Sequence, residues 1–245
     1  MLLHGVGTSG WMWRRLVDAV GVELHLLVVD LPGHGDSAGR PWVSLDDTVA
    51  AVAEVIGRSA GGRAHVVGLS LGGYVATDLA ARHPGLVPSA LVSGVNVLPF
   101  PRPGLMRVAG RLMSPFLTTT PLLRANARAL GVPAEDFDGY AAAARSMAPG
   151  TFTRVGAELV DYRVPEAAAV SDCRVLAVAG DREQELVRRS LPVVSAAFPR
   201  GEARVVPGVG HAWNGEQPAL FADVVRAHVA GTELPRVLRE PQPAT

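Results

Sequence analysis

The sequence predicts an α/β protein: a mostly parallel sheet with helices on both faces and one helical insertion. Three observations predict it. Short, near-continuous apolar runs alternate with longer stretches of helical pattern, as expected of strands buried on both faces and joined by crossover helices. Between about 97 and 165 the alternation stops, and helix-like segments follow one another. Finally, Gly68-Leu69-Ser70-Leu71-Gly72 lies between a β-branched apolar run and a helix-like one. In that strand–turn–helix setting a sharp turn holds a serine with its oxygen exposed.

Taken in order, the apolar runs predict strands over 1–4, 24–30, 64–68, 90–94, 173–179 and 203–206. Helical patterns between and after them cover 12–20, 45–59, 72–83, 185–198 and 218–230. The second of these opens with Ser44 followed three residues later by Asp47, a capping-box arrangement. After the fourth strand, Val97-Leu98-Pro99-Phe100-Pro101-Arg102-Pro103 leaves the sheet. Helical segments over 105–113, 121–130, 136–148 and 151–162 follow, with Met106, Met113, Phe116, Met147 and Phe152 scattered among them. The predicted organisation is therefore a core of 1–96 and 166–231, an insertion of 97–165, and a poorly ordered, flexible tail of 232–245 containing Pro235, Pro241 and Pro243. There is no internal repeat.

Composition narrows the class. At 245 residues and 48% hydrophobic content the chain supports one large domain and is not of the disordered class. Lys+Arg and Asp+Glu are both 23, so no net field draws it to nucleic acid or to an anionic membrane. The single cysteine, Cys173, opens a predicted strand and reads as a small core residue. No apolar run reaches the ~18–20 residues that span a bilayer, and the start lacks a basic region followed by an apolar core. The expectation is a cytoplasmic protein.

Four motifs then follow in order. His4-Gly5 ends the first strand. Asp30-Leu31-Pro32-Gly33-His34-Gly35-Asp36-Ser37 follows the second. Gly68-Leu69-Ser70-Leu71-Gly72-Gly73 follows the third, and Gly208-Val209-Gly210-His211 the last. This order resembles the α/β-hydrolase superfamily over essentially the whole chain. The resemblance is specific for the fold and weakly specific for the substrate. Members of the family usually carry two more strands before the His-Gly loop. Here Met1 already lies in the strand that ends at His4, so a sheet edge is expected to be exposed. The insertion resembles the family's helical lid.

The resemblance implies a nucleophile, Ser70, which needs an adjacent base because a serine hydroxyl is unreactive at neutral pH. Of the seven histidines, His211 alone lies on a loop after a late strand, where the order nucleophile, acid, histidine puts the base. His4 and His34 belong to structural loops, His25 and His65 to strands, and His83 and His228 to helix ends. The acid has two candidates in Gly180-Asp181-Arg182-Glu183. Counting from Gly180 as in the family's Gly-x-x-Asp favours Glu183; Asp181 has the commoner side chain but falls two residues early. The backbone N–H groups of Val6 and Leu71 would form the oxyanion hole. Trp11 and Trp213 follow strand ends and read either as walls of an apolar substrate pocket or as loop packing.

The resulting expectation is a serine hydrolase for a small uncharged ester, thioester or lactone, with no metal and no cofactor. The alternatives are a carbon–carbon hydrolase or another non-hydrolytic enzyme on the same scaffold, and a receptor-like binding protein with weak turnover. A small-molecule substrate is the expected partner; the sequence does not reveal the oligomeric state.

Overall fold

The computed structural model describes residues 1–242. Its centre is a six-stranded sheet in the order β2-β1-β3-β4-β5-β6. The strands are β1 Leu2–Leu3, β2 Val28–Val29, β3 Val66–Leu69, β4 Ser89–Ser93, β5 Arg174–Gly180 and β6 Arg200–Val206. Every neighbouring pair is parallel. The helices are α1 Arg14–Val20, α2 Leu45–Ser59, α3 Leu71–Arg82, α4 Pro103–Met113, α5 Thr120–Leu130, α6 Phe137–Ser146, α7 Thr151–Leu159, α8 Glu185–Ala196, α9 Trp213–Glu216 and α10 Pro218–Ala230.

Successive strand residues feed opposite faces, as a pleated strand requires. On one face Leu3, Ala90, Val92 and Val175 join Ile56 of α2, Val75 of α3 and Leu191 of α8. On the other, Leu2, Leu91 and Leu176 join Leu16 of α1 and Phe221 and Val225 of α10. Burial on both faces is why these strands read as unbroken apolar runs. The capping reading at Ser44 has its structural counterpart: Asp47 N–H donates to Ser44 Oγ at 3.0 Å, which satisfies one of the free donors of the first turn of α2.

The insertion, α4 to α7, leaves the sheet after β4 and returns to β5. Several of its contacts fall on loops and first helical turns that follow strand ends. Ala148 N–H donates to Gly33 O (2.8 Å), and Glu158 accepts from Leu45 N–H (2.8 Å) and from the Trp42 indole (3.3 Å). Arg15 reaches Glu135 and Asp136 at 3.1 Å each.

Part of the segment read as a flexible tail, 232–245, lies against the sheet. Val205 N–H donates to Arg239 O (2.7 Å), Arg239 N–H donates back to Val205 O (2.9 Å), and Leu238 is buried with the α1/α10 cluster. One apolar residue and two backbone hydrogen bonds hold this segment along the outer side of β6. Residues 243–245 of that expected tail lie outside the described residues. At the opposite margin β2 is the edge strand, and Val28 is exposed. Among the described residues no helix is long and apolar enough to cross a membrane.

Candidate active site

The loops that follow β1, β3, β5 and β6 converge at the C-terminal side of the sheet, where parallel α/β sheets bind their ligands. Ser70 stands between β3 and α3 at φ 56°, ψ −118°, the one non-glycine residue with positive φ among the described residues. Such a conformation costs about 1–3 kcal/mol and must be enforced by its surroundings. They enforce it by close approach. A Cβ on Gly68 would lie 2.1 Å from Gly72 O, and one on Gly72 would lie 2.0 Å from Leu3 O. Ser70 N–H donates to Ser93 O at 2.8 Å, which ties the turn to the end of β4.

His211 comes to the same place from the loop after β6. The site for a Cβ on Gly94, itself at φ +68°, is 2.6 Å from His211 Cε1. Ser70 and His211 thus flank the Ser93–Gly94 turn, although no hydrogen bond joins Ser70 Oγ to the imidazole among the described residues. Such bonds are often long before substrate binds.

His211 Nδ1 lies 2.5 Å from Glu183 Oε2. A carboxylate can only accept, so Nδ1 carries the proton and Nε2 is left free to accept one. The other Glu183 oxygen accepts from Gln184 N–H at 2.9 Å. The Glu183 side chain is 3% exposed. Burial opposes its ionisation, yet the hydrogen bond and charge of His211 and the Gln184 N–H outweigh burial and hold its pKa below the ordinary value. Asp181 does not reach the imidazole. Its carboxylate accepts from Gly208 N–H at 2.8 Å and serves the turn before His211.

Further groups fasten this loop, and nothing in the sequence singled them out. Glu216 Oε1 accepts from Gly210 N–H (2.6 Å) and Oε2 pairs with Arg182 (2.9 Å). Arg182 also bonds Gly208 O through its side chain and Val209 O through its N–H. On the far side, Ala212 N–H donates to Leu130 O at the end of α5 (2.8 Å). The residues before and after His211 are therefore pinned, one to α9 and one to the insertion.

The two backbone donors named for an oxyanion hole, Val6 and Leu71 N–H, bond no other backbone group among the described residues. Gly5 comes close to the serine: a Cβ there would be 3.3 Å from Ser70 Cβ. Behind it, His4 is buried and neutral. Leu31 N–H donates to His4 Nε2 (2.9 Å), Nδ1 donates to Gly5 O (2.8 Å), and burial lowers the His4 pKa to about 4.

One of the two tryptophans departs from the pocket reading. Trp213 is wholly buried, donates from Nε1 to Ser93 Oγ (2.9 Å) and packs 4.4 Å from the Phe221 ring. With its polar atom satisfied it is a core residue, so of the two readings given for it packing holds and the pocket wall does not. Trp11 stays partly exposed and lies against α6, where a Cβ on Gly139 would stand 2.2 Å from the indole. Among the described residues no three His, Cys, Asp or Glu side chains converge as a metal-ligand set.

The comparisons with known proteins agree with this architecture. The sequence profile of the alpha/beta hydrolase family matches residues 1–224. A protein of Gibberella zeae named as an AB hydrolase superfamily protein is 31% identical over 243 residues, covering 96% of this chain and 81% of its own length. A pimeloyl-[acyl-carrier protein] methyl ester esterase of Vibrio vulnificus is 41% identical over 83 residues, 34% of this chain and 31% of that protein. Among solved structures, an esterase from Exiguobacterium antarcticum superposes with a TM-score of 0.79 at 14% identity, covering 94% of this chain and 90% of that one; at that identity the likeness speaks to the fold alone.

Proposed function

The chain belongs to the alpha/beta hydrolase family, and from that premise we propose that it is a serine hydrolase of small uncharged carboxylic esters, thioesters or lactones. The observation that carries this reading is the His211 imidazole held by the buried Glu183 carboxylate beside the strained Ser70 turn. In the proposed cycle Ser70 Oγ attacks the carbonyl carbon while His211 Nε2 takes the hydroxyl proton. The negative charge that develops on the carbonyl oxygen is met by the Val6 and Leu71 N–H groups. His211 passes the proton to the departing alcohol or thiol, leaving an acyl group on Ser70. Water then attacks with His211 again as base, and the carboxylic acid leaves. Glu183 holds the imidazole tautomer and stabilises its charged form without taking the proton.

On the same reading 97–165 is a lid, 1–96 with 166–231 is the core that carries the chemistry, and the partner is a small molecule. The contacts of the insertion with Gly33, Leu45 and Ala212 support the lid.

The test is Ser70→Ala against a panel of p-nitrophenyl esters and lactones, with fluorophosphonate labelling beside it. The wild type is expected to be labelled and active. The variant is expected to be unlabelled and slower by about 10³-fold or more. Activity within tenfold of wild type, or no labelling of the wild type, overturns the reading. The labelling arm also separates an enzyme from a receptor with an inert serine.

A further inference from the structure

Three stretches far apart in the chain meet beside His211. They are the turn 130–136 that joins α5 to α6, the loop and helix 208–216 that carry His211, and Arg15 of α1. We infer that the 130–136 turn is the outer half of the mount of the catalytic histidine, and that Gly131 in it is a positioning residue for His211. The inference rests on the hydrolase reading above and deepens it, because it gives the insertion a part in the chemistry.

The backbone makes the first argument. A helix ends with its last carbonyls unpaired. At the end of α5 one of them, Leu130 O, accepts from Ala212 N–H at 2.8 Å. Gly131 follows in the left-handed region, at φ 75° and ψ 26°, and reverses the chain as a helix-ending glycine does. Val132 N–H then donates back to Ala127 O (2.9 Å).

Capping accounts for the φ of Gly131 but not for what lies against it. A Cβ there would stand 2.6 Å from Glu216 Oε1. That oxygen accepts from Gly210 N–H, also at 2.6 Å. The absence of a side chain at 131 therefore leaves the space for the carboxylate that holds the residue before His211. The residue after His211 is held by Leu130 directly. Two consecutive residues of the insertion thus set both flanks of the histidine, while Glu183 sets its ring.

The second argument is the fastening of the turn itself. The Arg15 guanidinium donates from Nη1 to Gly215 O at 2.7 Å, and its Nη2 lies 3.1 Å from both the Glu135 and the Asp136 carboxylates. One planar fork on the core helix α1 therefore holds both sides of the contact. The Asp136 partner is buried, so solvent ions screen this pair less than a surface one. Between the two sides the packing is close: a Cβ on Gly215 would be 3.1 Å from Pro133 Cδ. A displacement of about 1 Å at a catalytic group costs about 10²-fold in rate, and this turn fixes the backbone from which the imidazole hangs.

The experiment is Gly131→Ala. Its methyl group meets the movable end of a side chain, so the fold is expected to survive while the carboxylate leaves Gly210 N–H. On p-nitrophenyl butyrate kcat is expected to fall about tenfold to 10²-fold, with KM within about threefold of wild type. The proton between His211 Nδ1 and Glu183, followed by proton NMR, is expected to shift or broaden. Glu216→Ala removes the atom that the methyl group strikes. Adding Gly131→Ala to Glu216→Ala is therefore expected to cost less than about threefold more, because the two act through one contact. Arg15→Met, which frees the turn from the other side, is expected to lower kcat about tenfold and to move the same resonance. A lowered melting temperature with wild-type kcat and an unmoved resonance would make Gly131 a helix cap alone and overturn the inference. So would fully additive losses in the double variant, or wild-type kcat in Arg15→Met. Failure of the hydrolase reading shows separately, as wild-type protein without Ser70-dependent turnover in which the His211 resonance still responds to Gly131→Ala.

Discussion

At Gly94 a methyl group would stand 2.6 Å from His211 Cε1, on a backbone already at φ +68°. Gly94→Ala is therefore expected to push the imidazole from its place and to lower kcat by about 10²-fold. Circular dichroism should show the fold retained; wild-type turnover would mean that the ring does not depend on this turn. The carboxylates nearby divide their tasks. Glu183→Gln keeps the shape and removes the negative charge that stabilises the His211 imidazolium, so turnover is expected to fall by about 10²–10⁴. Asp181→Asn still offers an oxygen to Gly208 N–H and should cost far less. Glu216 acts one step back, by pinning Gly210. Glu216→Ala is expected to lower kcat more than it raises KM, and Glu216→Gln, which keeps an acceptor for Gly210 N–H, to recover much of the loss. Equal kcat for Ala and Gln variants would reduce Glu216 to a structural role.

Among the elements, α3 and α4 are opposites. Eleven of the twelve residues of α3 are buried, whereas none of α4 is, and Leu105, Val108 and Leu112 lie exposed on it. With so little apolar area holding α4, its amides are expected to exchange with deuterium about 10²-fold or more faster than those of α3. Matching protection in the two helices would show α4 to be firmly packed. The same contrast explains what could be read from the chain. Strands such as β4, with Leu91 facing one cluster and Val92 the other, announce themselves because both sides are apolar. The serine turn, His211 and the count from Gly180 to Glu183 were legible because each is tied to a strand end. Depth was not. Trp213 follows a strand like a pocket residue, but Ser93 Oγ satisfies its N–H and lets it sink into the core. Glu216 was invisible because its partners, Gly210 and Arg182, meet it only through the fold.

For the molecule as a whole, acid is the expected weakness. The His4 pKa falls from 6.5 to about 4 on folding, chiefly through burial, and burial likewise takes His228 to about 4. Between those values the unfolded chain binds more protons than the folded one, so stability rises with pH. The contribution is complete above 6.5 and is lost as pH falls toward 4. For His4 the shift corresponds to roughly 3 kcal/mol. Glu183, lowered from 4.5, adds a loss in the same direction at lower pH still. Melting temperatures are expected to drop steeply from pH 6.5 to pH 4, and a flat profile would contradict neutral burial of these histidines. The segment at Leu238 and Arg239 has another consequence, for how molecules meet one another. A strand with a free margin can accept a strand from a neighbour, and a sheet with two free margins can pass that pairing on without end. Here the β6 margin is already occupied at Val205 by the chain's own backbone, while β2 is not so covered among the described residues. On the β6 side, a strand arriving from a neighbouring molecule therefore finds the Val205 backbone already paired.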